Sequence, residues 1–493
     1  MSKIRVRFAP SPTGFVHLGS LQKFVQNFLF AKKYDGDYIL RIEDTDQVRF
    51  VPNATEILLD IMKKFDMLPN EGVSLDENGK MIQIGKFAPY IQSERANLGI
   101  YKKYAEELVE KGHAYKCFCS VERLNKMREE QQKKGEITKY DGLCRNLTVE
   151  EVEQKIKNGE KYVIRIKLPK DEFITFEEGI RGKISVSTNS LDDYVLLKSD
   201  GLLGTYHLAS TVDDHIMEIS HVFRGEEWLP TAPIHFKLYE MFGWTPPKIF
   251  HMPNILGKDH KKLSKRQGDV FIHQYLEKGY LPEALLNYII LIGWNPGGER
   301  EIFSREELIK LFDIDKLQKV GGIFDIDKLN WMNGVYIRNL SIDEFVSRSK
   351  HFLINAKILK ENDFENSEKL EYIKKVLGLV QERTKILSEV AESVDCFFAE
   401  NIEVDEKLLA IKAKEKTKEI LQNVFENLSN LEVWNHDELS KNLEGVAEIF
   451  GRSQVFFTTR VAITGKQFSP GVFESLEVLG KEKSLERISN LLQ

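Results

Sequence analysis

The order of apolar and polar positions along the chain predicts an α/β beginning. Ile4–Ala9 (IRVRFA) is a short, nearly continuous apolar run of strand type, followed by the loop Pro10–Gly14 (PSPTG). Leu21, Phe24, Val25, Phe28 and Leu29 then recur at helical spacing. A second strand is predicted over Tyr38–Ile42, running into the acidic Glu43-Asp44-Thr45-Asp46. Strand, loop, helix and strand within about 40 residues predict a βαβ unit and therefore a parallel, doubly wound sheet.

Beyond Tyr90 the pattern changes. The helical YKKYAEELVEKG leads to KCFCS and a polar, charged stretch to about residue 160, after which YVIRIKLP, GKISVS and DYVLLKSDG alternate as strands. This predicts a mixed domain inserted into the first sheet. The segment GTYHLASTVDDH and the helix TAPIHFKLYEMFGW return the chain to α/β, and from about 280 onward it reads as helix after amphipathic helix. The expected division is 1–100 with 206–245 as the first domain, 101–205 as the insertion, 246–345 as a connecting region, and 346–493 as a helical region.

Composition narrows the class. Of 493 residues, 42% are hydrophobic and 30% charged, with Gly 32 and Pro 14, which predicts a globular chain rather than a disordered or collagen-like one. No run approaches the ~18 apolar residues of a membrane helix, and the start shows no apolar signal region, so a cytoplasmic chain without membrane association is expected. Four cysteines exclude a disulfide scaffold and fit a reducing compartment. The net charge of -6 gives no reason by itself to expect a nucleic-acid partner, but near-balance leaves room for local basic patches.

Two stretches carry candidate chemistry. FAPSPTGFVHLGS (8–20) sets a rigid turn after a strand and places His17, Gly19 and Ser20 at a helix start, where doubly wound folds bind nucleotides. Gly19 removes a side chain so that a nucleotide can approach the backbone, and His17 can donate to a phosphate. Taken alone, His-x-Gly is more often a structural turn capped by Ser20. The second stretch is GKDHKKLSKRQG (257–268), where five of nine residues from Lys258 to Arg266 are basic. Flanking glycines predict a mobile loop, and lysine ammoniums suit developing phosphate charge. Alone, such a run is more often a solvated charged loop.

Together they resemble the paired motifs of class I aminoacyl-tRNA synthetases. His17-Leu18-Gly19-Ser20 is similar to the first motif, with Ser in place of the usual final histidine. Lys262-Leu263-Ser264-Lys265-Arg266 is similar to the second. RFAPSPTGFVHLGS, RIEDTD, LLKSDG, TYHLA, VDDH, FRGEEWL and KLSKRQG occur in that order, and this series resembles the bacterial glutamyl-tRNA synthetases; FDIDKLNWMNGVYI (324–337) extends the likeness. The resemblance implies an α/β Rossmann-like doubly wound catalytic domain with an inserted α+β acceptor-end-binding domain, followed by all-α anticodon-binding domains. It also implies an ATP-dependent ligase that makes glutamyl-adenylate and passes it to the terminal ribose of tRNA-Glu, with tRNA-Gln a further candidate, and a monomer. His17, Lys262 and Lys265 are the implied catalytic groups. The same three with Gly19, Ser20, Glu227 and Ser264 would hold ATP, which arrives with Mg2+. Arg7, Ala9, Ser11, Glu43, Tyr206, Ser210 and Arg224 would bind L-glutamate, the arginines taking carboxylates and Glu43 the ammonium. Ser210 is a departure, since related sequences commonly carry Asn there.

Cys117 and Cys119 are followed by Cys144 after twenty-four intervening residues. Three thiolates could hold Zn2+, though structural zinc normally takes four ligands. The resemblance offers a histidine two residues after the last cysteine, but Asn146 stands there; Tyr140 matches a tyrosine ligand of a close paralogue. Three free cysteines or a vestigial site remain alternatives. Cys396 reads as an ordinary buried thiol. In the helical region Arg383 is a candidate anticodon contact, against an ion pair with a neighbouring Glu. Lys102, Lys103, Lys133 and Lys134 are candidate phosphate partners or solvated faces. Four rival readings remain: a truncated paralogue that modifies a tRNA base, a glutaminyl-tRNA synthetase, an RNA-binding protein with a dead site, and a small-molecule nucleotidyltransferase. The helical half disfavours the first and the last, the Arg7/Arg224 pair the second, and the intact His17 and lysines the third.

Overall fold

A computed structural model describes residues 3–264 and 269–492. Its chain forms two compact units, 1–275 with 285–325 and 276–284 with 326–493. No helix of the described residues is long and apolar enough to cross a membrane.

The first unit is built on a six-stranded sheet. Strands β1 (Arg5–Phe8), β2 (Asp37–Leu40), β3 (Glu71–Leu75), β4 (Met81–Ile84), β10 (His221–Gly225) and β11 (Lys248–Met252) lie in the order β11-β10-β1-β2-β3-β4. Every pairing is parallel except β3 with β4. β1, β2 and β10 are buried along their whole length, as covered parallel strands must be, which explains why they read as apolar runs without alternation. The order reverses at β1, which has β10 on one side and β2 on the other, so the crevice at its carboxyl end is the expected ligand position. The boundary drawn at 245 leaves out β11, which pairs in register with β10 from His221↔Lys248 to Gly225↔Met252.

Helix α1 (Leu18–Lys33) follows β1 and buries Leu21, Phe24, Val25, Phe28 and Leu29, the set predicted by its spacing. Helices α2 (Ala54–Lys64), α3 (Gln92–Asn97) and α4 (Ile100–Glu110) precede the insertion. That segment carries a three-stranded sheet, β5 (Ala114–Cys117), β6 (Val163–Ile166) and β9 (Val195–Leu197), and a separate hairpin, β7 (Phe173–Glu178) with β8 (Gly182–Ser187). Between them run α5 (Val121–Lys133), capped by Ser120, and α6 (Val149–Lys157), which opens on a Thr148/Glu151 capping box. The chain then returns through α7 (Tyr206–Ile216), β10 and α8 (Ala232–Phe242). The two ends of the insertion touch: Gly204 lies so near Tyr101 that a Cβ there would meet its ring at 3.2 Å.

Two adjacent carboxylates on α7 tie these elements together. Asp213, fully buried, accepts from Arg95 Nε (2.6 Å), Gln92 Nε2 (2.9 Å) and Tyr101 Oη (2.9 Å). Asp214 accepts from Arg7 Nε on β1 (3.0 Å) and from Arg41 Nη1 (2.7 Å). The second unit is helical throughout the described residues, with one apolar core that includes Phe345, Val376, Phe397, Leu421, Val446 and Ile463. The stretch 326–338, read from sequence as part of the connecting region, packs within this unit: Asn333 accepts from Leu281 N (2.8 Å) and donates to Lys385 O (2.6 Å). Cys396 is buried there, and burial pushes its thiol up to about 11.

Removing one partner of a buried ion pair strands the other charge at a cost of about 3–5 kcal/mol. Asp213→Ala is therefore expected to destabilise the first unit by about that amount in urea denaturation. Asp213→Asn, which keeps an acceptor, is expected to cost less.

Candidate active site

At the carboxyl end of β1 the crevice opens as a cleft of about 550 Å³. Arg7, Ala9, Ser11, Ser20, Glu43, Tyr206, Arg224 and Glu227 all line it, so the structure gathers most of the predicted glutamate-binding set around one space. Ser210 is not among the lining residues; it is buried one helical turn beyond Tyr206 on α7. A second cleft of about 320 Å³ is lined by His17, Gly19, Ser20, Asn254 and Lys262, and it shares Ser20, Lys23 and Glu227 with the first. The two predicted motifs thus meet at joined clefts.

Backbone pairing holds them there. Val16 and Leu18 bond to Ile272 N (3.0 Å) and Val270 O (2.9 Å), making His17 the bridge partner of Phe271, with ring centroids 4.5 Å apart. The lysine-rich stretch departs from its predicted mobility in its described part: Leu256 pairs with Lys262, and Leu263 N bonds to Ile255 O (2.9 Å), so a tight hairpin turn presents Lys262. Backbone groups at 255–256 supply the partners that the flanking glycines concealed. Ser264 follows at an exposed position; Lys265 and Arg266 lie outside the described residues. At Gly19 an added Cβ would meet only Lys23 Nζ, at 3.7 Å, so the space over this backbone is open to a ligand. At Gly225 a Cβ would strike the Glu227 carboxylate, so no other residue fits there while Glu227 holds this position.

Charge in the first cleft is unevenly balanced. Arg7 and Arg41 are both held by Asp214, and Arg41 Nη2 also donates to Glu43 Oε1 (2.9 Å). Burial disfavours ionised Asp214, but Arg7 and Arg41 outweigh it and hold the carboxyl below its usual range. For Glu43 burial wins over Arg41 and Arg7, and the carboxyl is pushed up. Arg224 differs from the other two arginines: buried, it donates to His251 Nε2 (3.0 Å) and Tyr206 Oη (3.1 Å), its Nη2 has no partner, and no carboxylate pairs with it among the described residues. Such an uncompensated guanidinium is a receptor for an anion.

Sequence reasoning missed three cleft residues. Trp228 packs on Tyr206 with centroids 3.9 Å apart. Lys198 anchors to Thr45 O (2.6 Å) beside the cleft. Lys23 lines both clefts, bonded to Gly19 O (2.9 Å); burial and then nearby Lys262 lower its pKa, while Glu227 opposes them. LLKSDG and FRGEEWL held two of these among the quoted motifs, but Lys23 sits in an ordinary helical position with no local signal.

The cysteines converge in the insertion. The sulfurs of Cys117, Cys119 and Cys144 lie within 4.8 Å of one another, and Tyr140 Oη is 3.4 Å from both Cys117 Sγ and Cys119 Sγ. Hydrogen bonding to Cys144 draws the Cys117 thiol down to about 4, against the penalty of burial and with help from Tyr140. The three sulfurs form a cluster compatible with Zn2+, and Tyr140 Oη, its pKa raised by burial, is the oxygen beside it. Asn146 is exposed and takes no part. Elsewhere, Lys102, Lys103, Lys133 and Lys134 are exposed, and Arg383 bonds to Ser469 O (3.2 Å), with no glutamate paired to it among the described residues.

Known proteins with these features are numerous. Residues 3–331 match the family described as tRNA synthetases class I (E and Q), catalytic domain, and residues 344–492 match the anticodon binding domain. A glutamate–tRNA ligase of Clostridioides difficile is 44% identical over 99% of this chain and 98% of its own length. One from Alkaliphilus metalliredigens is 46% identical over the same shares. The crystal structure of a glutamate tRNA ligase from Elizabethkingia meningosepticum in complex with its amino acid superposes with a TM-score of 0.89 at 36% identity, covering 100% of this chain and 99% of that one.

Below the cleft, His207 Nδ1 meets His235 Nε2 (3.2 Å), and burial, with Arg224 nearby, pushes His207 down to about 4; burial and Lys248 do the same for His221. Between the ordinary 6.5 and about 4 the unfolded chain binds protons that the folded one refuses. The stability these neutral histidines provide is complete above 6.5 and is lost as pH falls through about 4. Denaturation midpoints measured across that window are expected to fall, and to fall less steeply in His207→Gln.

Proposed function

We propose that this chain, which belongs to the class I tRNA synthetases for glutamate and glutamine and is a glutamate–tRNA ligase, divides its reaction between the two joined clefts. The first takes glutamate. Arg224, buried and without a carboxylate partner, receives the side-chain carboxylate with Arg7 beside it, and this uncompensated cation is the observation that carries the reading. Glu43 receives the ammonium, and Tyr206, Ala9 and Ser11 complete the wall. The second takes ATP over the open backbone at Gly19, between His17 and Lys262, with Ser20 and Glu227 at the seam.

The α-carboxylate of glutamate attacks the α-phosphate of ATP, and pyrophosphate leaves. The tRNA ribose hydroxyl then attacks the activated carbonyl, and AMP leaves. In the first step negative charge grows on phosphorus, and His17 and Lys262 are placed to donate to it, so their contribution is positional and electrostatic. Mg2+ arrives on the phosphates and screens them when bound. Zinc, where bound, is held by Cys117, Cys119, Cys144 and Tyr140 and clamps the insertion away from the chemistry. Arg383, exposed on the anticodon-binding domain, is a candidate for stacking on or bonding to a splayed base.

Pyrophosphate exchange, run with and without tRNA-Glu, tests the assignment. Glutamate is expected to support exchange, and glutamine is not. His17→Asn and Lys262→Met are each expected to lower the rate by about 10²–10³. Exchange with glutamine only, or full activity in both variants, would overturn the placement. For the metal, elemental analysis of metal-replete protein is expected to give about one zinc per chain, the single tetrahedral site those four ligands can build. Tyr140→Phe is expected to lose zinc to a chelator faster.

A further inference from the structure

Arg224 must be oriented as well as charged, and no carboxylate among the described residues touches it. The structure fills that role differently. Arg224 on β10 and His251 on β11 are register partners in the parallel pair, and Arg224 Nε lies 3.0 Å from His251 Nε2. A guanidinium nitrogen can only donate, so Nε2 must accept, and the imidazole proton sits on Nδ1. That nitrogen lies 3.2 Å from Oε1 of Glu178, which also accepts the backbone N–H of His251 (2.6 Å). The other oxygen of Glu178 accepts from the backbone of Ile180 (3.0 Å) and Arg181 (2.6 Å). The His251 and Glu178 side chains are fully buried. Glu178 ends β7, in the inserted segment, so a hairpin remote in sequence reaches under the sheet edge to this arginine.

We propose that Glu178 and His251 are positioning residues for glutamate recognition: Glu178 fixes the Nδ1–H tautomer of His251, and His251 Nε2 anchors Arg224 Nε. Placing the imidazole between carboxylate and guanidinium does two things at once. The arginine is held by a directional bond, and its cation is not cancelled by a direct salt bridge, so it remains available to the substrate carboxylate. Nη2 has no hydrogen-bond partner among the described residues, as a receptor for substrate requires. Burial favours the neutral imidazole, consistent with an accepting Nε2. Burial works against the Glu178 charge, and the bonds from His251, Arg181 and Ile180 outweigh it.

This inference rests on the reading that Arg224 receives the glutamate side chain, and the experiment separates the two. In the full-length enzyme, His251→Leu removes the acceptor while filling the space, and His251→Gln supplies a carbonyl that can accept from Arg224. His251→Leu is expected to raise KM for glutamate about tenfold or more, the effect of one charge-assisted bond, with KM for ATP within about twofold. His251→Gln is expected to recover most of that loss. Glu178→Gln is expected to raise KM for glutamate by less than His251→Leu, and ¹⁵N NMR of histidine-labelled wild-type protein is expected to show a neutral Nδ1–H imidazole. A purely structural role would move both KM values together, or lower the thermal midpoint and active fraction alone; either result overturns the inference. An imidazole at 251 protonated on Nε2, with Nδ1 free, overturns it too. If Arg224→Ala raises KM for glutamate and His251→Leu does not, the inference fails while the placement of glutamate stands. If Arg224→Ala leaves that KM unchanged, the placement itself fails.

Discussion

The active end of the sheet depends on a buried pair of adjacent carboxylates. Asp213 and Asp214 stand next to each other on α7, and arginines from β1, from the end of β2 and from α3 converge on them. A helix placing two anions inside an α/β core would be costly without these partners, and the arginines would be equally costly without the anions. Each therefore requires the other, and the arrangement fixes where β1, β2 and α7 end relative to one another. Those ends form the wall of the larger cleft. Its charge balance follows from what the network leaves over: Arg7 and Arg41 are each paired with Asp214, while Arg224, one strand away, has no carboxylate partner among the described residues.

Joined clefts also explain why the two motifs are placed so far apart in the chain. Bringing carboxylate and phosphate together gains rate through proximity only if both subsites are held rigidly. The pairing of 16–18 with 270–272 supplies that rigidity with backbone bonds, independent of side-chain identity. A hairpin turn then carries Lys262 to the rim of the second cleft.

Much of this was legible in the residues. β1, α1 and β2 could be read because a buried parallel strand is a plain apolar run and α1 repeats its apolar face at helical spacing. Arg7, Glu43, Tyr206 and Arg224 could be placed together because their motifs occur in a recognisable order. The partners were not legible. Asp213 meets Arg95 across 118 positions and Asp214 meets Arg7 across 207, and no local pattern encodes such a contact. The lysine-rich stretch read as mobile because its flanking glycines suggested a loop, whereas its bonds to 255 and 256 close a short hairpin that no apolar alternation announces. Ser210 was placed with the substrate by motif position, whereas the structure buries it behind Tyr206.

Entry to and exit from the inserted segment lie side by side, with Gly204 against the Tyr101 ring and the Tyr101 hydroxyl bound to Asp213. A module attached through one such closed gate can grow, shrink or be exchanged without altering the distance the host sheet must span. Evolution can thus remodel the inserted module while the cleft beside it keeps its dimensions, provided the gate residues stay put.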